Sequence, residues 1–151
     1  MSVGLRRADA VDDLEAAVAL WREARWDRGF AVQRGDTLEG DRRHFAGAVF
    51  QRFQVWFASE GASVVGLIAF DAAKIDQLHV APAYQGLGIG SLLLAKARED
   101  AGATLELVTH QGNDRARSFY ERHGFRAIRF AVSAEPEAAC VVRYQWSRDG
   151  A

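Results

Sequence analysis

Along this chain the spacing of hydrophobic and polar positions changes several times, and each change predicts an element. Val3 to Arg7 reads as a first strand. After Asp12 and Asp13, either able to cap a helix, Leu14, Val18 and Trp21 recur at helical spacing. A polar, glycine-marked stretch from Asp27 to Gly40 breaks that pattern. A second helix is predicted from Asp41 to about Gln51, with Phe45, Ala48 and Arg52 on one face. Phe53 to Ser59 and Ser63 to Phe70 read as strands joined in a hairpin around Glu60-Gly61-Ala62. Lys74 to Val80 alternates as a strand, and Ser91 to Asp100 has a helical pattern. Thr104 to Thr109 is the next strand. Asn113 to His123 is a helix with Ala116, Phe119, Tyr120 and His123 on one face and Gly124 as its stop. Phe125 to Val132 and Cys140 to Trp146 are the last strands, joined by the polar Ser133 to Glu137 loop. Strands and helices thus interleave through 151 residues, which predicts one mixed α/β domain.

One segment breaks the periodic pattern in an informative way. Between the strand ending at Val80 and the helix beginning near Ser91 lie a turn, Ala81-Pro82-Ala83-Tyr84, and a glycine-rich loop, Gln85-Gly86-Leu87-Gly88-Ile89-Gly90. Pro82 cannot donate a ladder hydrogen bond, so it ends the strand. Glycines let a backbone turn its N–H groups inward and remove side chains that would block a close approach. A helix that starts there adds amides outside its own ladder and the positive end of its dipole. The segment therefore suits a pyrophosphate. A nucleoside-triphosphate loop is set aside, because no lysine follows these glycines until Lys96. A dinucleotide fingerprint fits Gly86 and Gly88, with Glu106 at the distance of a ribose-binding acid. Its third glycine position is Ser91, however, and too little chain follows for the rest of a doubly wound sheet.

A third reading comes from a resemblance. Val80-Ala-Pro-Ala-Tyr-Gln-Gly-Leu-Gly-Ile-Gly-Ser91-Leu-Leu resembles the signature of the GNAT superfamily of acyl-CoA-dependent N-acyltransferases, Val-x-Pro-x-x-Arg/Gln-x-x-Gly-x-Gly/Ala. A second pattern of that family follows, Asn113-Asp-Arg-Ala-Arg-Ser-Phe-Tyr120-Glu-Arg-His-Gly124-Phe125. The likeness covers residues 75 to 130, and the first 70 residues match in outline. It implies a mostly antiparallel mixed sheet of about seven strands, splayed between the fourth and fifth, with about four flanking helices. It implies acetyl-CoA as acyl donor and an amine on a small molecule or peptide as acceptor. It assigns pantetheine to the edge of the fourth strand at Leu78, His79 and Val80, and to Asn113. The diphosphate falls to the amides of Gly86, Leu87, Gly88, Ile89, Gly90 and Ser91, and Gln85 joins the coenzyme-binding residues. Tyr120 falls where the family keeps its general acid. Members often pair through their last strands, so the apolar Cys140 to Trp146 stretch implies a homodimer.

The chemistry that the resemblance implies is direct acyl transfer from a thioester to a neutral amine. An alkyl amine with a pKa near 10 is almost fully protonated at neutral pH, so its proton must be accepted. The leaving thiolate departs more easily when an acid donates to it, and a tyrosine hydroxyl is a reasonable donor. The proton acceptor is the open position. Many members carry a glutamate where this chain has Lys74, and others where it has Val108. Asp76, Glu106, His79 and His110 are the substitutes by position, and a backbone carbonyl with a water chain is another. Asn113 precedes a helix and can cap it as well as bond pantetheine. The acceptor is expected over the first two helices and the loop between them. Trp21, Arg25, Trp26, Asp27, Phe30, Arg34, Asp36 and Glu39 lie there. A coenzyme-binding sensor, or a member without catalysis, is the alternative reading.

Composition narrows the class. Hydrophobic residues make up 49% and charged residues 26%, as in ordinary globular proteins. The formal net charge of −1 offers no basic surplus for nucleic acid. No run of eighteen apolar residues and no basic-then-apolar leader occurs, so neither a membrane span nor an export signal is expected. The single cysteine, Cys140, cannot form an internal disulfide, which suits a reducing cytoplasm, and its strand-like surroundings predict a packing role. His44, His79, His110 and His123 have no metal-ligand spacing, so no metal is expected. No nucleophile elbow is present, which argues against a hydrolase.

Overall fold

The computed structural model describes residues 2–27, 37–134 and 138–150, with backbone alone for 25–27. The chain forms two compact units, one of residues 1–71 and 76–99, the other of 72–75 and 100–151.

The first unit is built on a four-stranded sheet in the order β1-β2-β3-β4. Its strands are β1 (Gly4–Arg7), β2 (Gln54–Glu60), β3 (Ser63–Phe70) and β4 (Ile75–Val80). The β2–β3 hairpin turns at Gly61, whose φ of 58° is in the left-handed region where glycine carries no side-chain penalty. Helix α1 (Leu14–Asp27) precedes a continuous helical run made of α2 (Leu38–His44), a π segment (Phe45–Val49) and α3 (Phe50–Arg52). Thr37 caps α2, accepting from the Gly40 N–H at 2.9 Å. The run thus begins before the expected Asp41. The wider π turn also changes which residues face inward: Phe45 and Val49 are buried, whereas the expected Ala48 is half-buried and Arg52 exposed.

Ala17, Val18 and Leu20 of α1 pack with Phe45 and Val49 on Val55, Phe57, Leu67 and Ala69. Trp21 meets the Phe45 ring edge-on, with centroids 5.8 Å apart. The buried Asp41 is paired with Arg22, joining α2 to α1. The other face of the sheet receives α4 (Ile89–Asp100), which packs tightly at Gly66. A side chain there would lie 3.0 Å from Leu93 Cδ1, 3.1 Å from Ile89 Cγ2 and 3.3 Å from the His79 carbonyl oxygen. With both faces covered, Val65 to Phe70 can be a continuous buried run instead of an alternating one.

The second unit holds a three-stranded antiparallel sheet in the order β5-β7-β6. Its strands are β5 (Thr104–His110), β6 (Arg126–Val132) and β7 (Cys140–Ser147). Helix α5 (Asp114–Arg122) ends at Gly124, whose φ is 85°. Tyr120 and Phe125 are buried and stack edge-on at 5.5 Å, with Tyr144 of β7 6.2 Å from Tyr120. The residues leading into β4 belong with this unit: Gly102 and Glu106 donate their N–H groups to Ala72 and Ala73, and Lys74 bridges Glu106 in parallel.

The seven strands therefore make a four-stranded and a three-stranded sheet, with the break after strand 4. Two expectations change. Cys140 is exposed, not packed. The Cys140 to Trp146 stretch is the middle strand, with both ladder edges taken by β5 and β6, which are the two outer strands of this sheet.

Candidate functional site

The loop between β4 and α4 is held from both ends. Ala81 donates its N–H to Val65 at 2.8 Å, which fixes the exit from β4 onto β3. A 3-10 turn follows (Pro82–Tyr84), with Pro at its start as the φ restriction favours. The Gln85 side chain donates from Nε2 to the Val80 carbonyl at 3.1 Å and braces the loop against the end of the strand. Tyr84 donates its hydroxyl to Glu60 at 3.1 Å. That hydrogen bond, and after it the charge of the carboxylate, raises the phenol above its ordinary pKa.

Beyond this brace the backbone turns twice through the left-handed region, at Gly86 (φ 79°) and Gly88 (φ 85°). At both, a side chain would meet open space, so backbone conformation, not crowding within the protein, requires glycine. Gly86 to Gly88 are exposed, while Ile89 is buried and anchors the start of α4. Leu92 N–H bonds to the Gly88 carbonyl at 3.1 Å, placing Ile89, Gly90 and Ser91 in the first helical turn. Two side-chain-free residues facing open space before a helical first turn fit a diphosphate.

Leu78, His79 and Val80 lie on β4, an outer strand of its sheet, as a strand edge for a ligand requires. His79 is buried, with Nε2 2.7 Å from Gln77 Oε1. Gln77 in turn donates to Asp76 at 3.2 Å. These two proton-acceptor candidates therefore belong to a small polar chain along β4.

In the second unit Asn113 caps α5, its side-chain oxygen accepting from Ala116 N–H at 3.1 Å. Its side-chain amide is a donor that this cap does not use. Tyr120 projects from the buried face of α5, 8% exposed, against Phe119, Phe125 and Tyr144. Tyr144 donates its hydroxyl to Glu121 at 2.5 Å and accepts from Arg117 Nε at 3.0 Å. Burial raises the Tyr144 phenol, and the Arg117 hydrogen bond opposes that shift. Helical spacing predicts neither Arg117 nor Glu121 for this network, since both lie beside the apolar stripe.

The structure separates the remaining candidates for proton acceptor. Glu106 stands beside Lys74, the position where many family members carry a carboxylate. Its carboxylate accepts from Gln145 at 2.9 Å and pairs with Arg143 at 3.5 Å. Val108 is half-exposed and His110 half-buried on the same strand. In the expected acceptor region Trp21 packs on Phe45, and Glu39 pairs with Arg42 at 3.5 Å. Arg25, Trp26 and Asp27 have no described side chains, and Phe30, Arg34 and Asp36 lie outside the described residues. Among the described residues no helix is long and apolar enough to cross a membrane, and no cluster has the makings of a metal site.

Residues 51–127 match the family model described as an acetyltransferase (GNAT) domain. Among solved structures, apo YjaB from Escherichia coli is similar at 21% identity and a TM-score of 0.75, over 97% of this chain and 98% of that one. The yncA protein of Salmonella typhimurium, solved with its cofactor acetyl-CoA, is similar at 17% identity and a TM-score of 0.73, over 97% and 94%. The E. coli ribosomal-protein-S18-alanine N-acetyltransferase is similar at 18% and 0.74, over 97% and 94%. No curated protein matches.

Proposed function

Because the chain belongs to the GNAT acetyltransferase family, we propose that it is an N-acetyltransferase moving an acetyl group from acetyl-CoA to a primary amine of a small molecule or peptide. The observation that carries this reading is the braced loop, with Gly86 and Gly88 in the left-handed region immediately before α4. Acetyl-CoA, when bound, supplies the thioester. Backbone amides from Gly86 to Ser91 would hold its diphosphate, the edge of β4 at Leu78 to Val80 would pair with the pantetheine arm, and the Asn113 amide would bond that arm.

In the transfer the acceptor nitrogen forms a bond to the acetyl carbon, the carbon–sulfur bond breaks, one proton leaves nitrogen and one arrives at sulfur. Tyr120 is assigned the proton for sulfur. Its ring is buried against Phe125, which fixes the direction of the hydroxyl, and a phenol O–H is a proton donor. Glu106 is assigned the proton from nitrogen. It is the carboxylate beside Lys74, and the hydrogen bond from Gln145 holds it in place. A cytoplasmic setting accompanies this proposal, as does a homodimer formed through the outer strand β6.

Calorimetry with acetyl-CoA, followed by released-thiol measurement over a panel of small amines and peptides, tests the reading. Binding with turnover of at least one amine supports it. Binding without turnover across the panel favours the sensor, and no binding overturns the assignment.

A further inference from the structure

The sheet face of the second unit opposite α5 carries, beside the assigned proton acceptor Glu106, a group of arginines that the transfer step itself does not use. In an antiparallel ladder, directly paired residues share a face. Glu106 pairs with Gln145 and Val108 with Arg143 across β5 and β7, while Arg126 pairs with Gln145 and Arg129 with Arg143 across β6 and β7. All of these residues therefore lie on one face. Tyr144 and Val142 lie on the other, buried.

Arg126 and Arg129 are three residues apart, a spacing that puts side chains on opposite faces of a regular strand. The register shift between Ala127 and Arg129 brings them to the same face. The result is three exposed arginines together, Arg126, Arg129 and Arg143, with Arg129 directly opposite Arg143. Like charges in that position destabilise a sheet. On this face Glu106 lies 3.5 Å from Arg143. Val108, Ala131 and Val141 share the face as an apolar floor beside the arginines.

We propose that this arginine face binds an acidic stretch of polypeptide. Each exposed ion pair contributes little alone, so a partner must engage several arginines at once. An extended chain does so: its alternate side chains lie on one side about 7 Å apart, the same step as successive same-face positions on a strand. Guanidinium groups also accept carboxylates in bidentate pairs. The inference rests on the acetyltransferase reading only in naming this peptide as the amine acceptor. The binding surface is measured without acetyl-CoA.

The test is fluorescence anisotropy at 50 mM salt with labelled peptides of alternating serine and glutamate, against serine–glutamine and serine–lysine versions. The glutamate peptide should bind, the other two should not, and affinity should fall steeply by 300 mM salt. Arg126→Ser/Arg129→Ser should weaken binding at least tenfold with an unchanged melting temperature. Arg126→Glu/Arg129→Glu should bind the lysine peptide instead, which a merely misfolded variant would not do. Equal binding of the glutamate and glutamine peptides, or glutamate-peptide affinity unchanged in the serine variant, overturns the proposal. So does citrate binding as tightly as the peptide, which would mark a small-anion site. Loss of acetyl-CoA binding in the parent protein would defeat the acetyltransferase reading and leave the peptide result standing.

Discussion

At the scale of single residues, Tyr120 carries the sharpest prediction. Tyr120→Phe keeps the ring that packs on Phe119, Phe125 and Tyr144 and removes only the hydroxyl. Turnover of the best amine should fall roughly a hundredfold or more, with coenzyme affinity nearly constant, because the hydroxyl acts once charge builds on sulfur. A variant that melts like the parent and turns over within about threefold of it would return Tyr120 to a packing role. Gly88 behaves differently. Its φ of 85° strains any side chain whatever space is available, so Gly88→Val should weaken acetyl-CoA binding at least tenfold, about 1.4 kcal/mol by calorimetry. Asp13 sets a pH dependence. Hydrogen bonds from Arg6, and then from the Asp9 N–H, hold its carboxyl down at about 2. The stabilisation is complete above the ordinary range near 4 and is lost as pH falls through about 2. Arg6 is half exposed, so the pair contributes about 1 kcal/mol or less. Asp13→Asn should melt a few degrees below the parent at neutral pH, and the two should converge near pH 2.

At the scale of elements, sequence reasoning succeeded where a pattern had one cause. Ser63–Phe70 has the expected bounds because both of its ends are polar breaks in an apolar run. The glycine loop and the Asn113 cap were legible because glycine spacing and cap chemistry act locally. The run through residues 38–52 was less legible. Thr37 caps it four residues before the expected start at Asp41, and a π turn at Phe45–Val49 moves the buried face off 3.6-residue spacing. Long-range pairing was not legible at all. Nothing in Cys140 to Trp146 says that this strand sits between two others, and nothing in Arg126 to Val132 says that a register shift brings two arginines to one face. Glu106 likewise became the favoured proton acceptor only when strand pairing placed it beside Lys74. Gly66 gives this scale its own prediction. Gly66→Ala puts a methyl group 3.3 Å from the His79 carbonyl, a backbone atom that cannot swing away, and against Ile89 and Leu93 of α4. Overpacking there should cost about 1–3 kcal/mol in chemical denaturation. An unchanged midpoint would mean that α4 moves off the sheet freely.

At the scale of the whole molecule, the outer strand β6 bears half-exposed or exposed Ile128, Phe130 and Val132 along an edge that has no partner within its own sheet. Such edges invite pairing with another chain. Light scattering at micromolar concentration should give twice the 16.6 kDa chain mass, and Phe130→Lys/Val132→Lys should return it to one chain. A parent particle of 16.6 kDa would rule out the dimer. The central place of β7 has a separate consequence, for the order in which structure is acquired. A ribosome releases β5, α5 and β6 before β7, yet β5 and β6 touch no common ladder until β7 enters between them. The first unit is complete in sequence by residue 99, whereas the second must wait for Cys140–Ser147 and then close two ladders in one event. The β5–β7 pairs, which join residues 104–110 to 141–147, have long sequence separation and form slowly. The nascent chain should therefore gain protease resistance in two stages, and a chain stalled before residue 140 should hold a protected first part and a cleavable remainder.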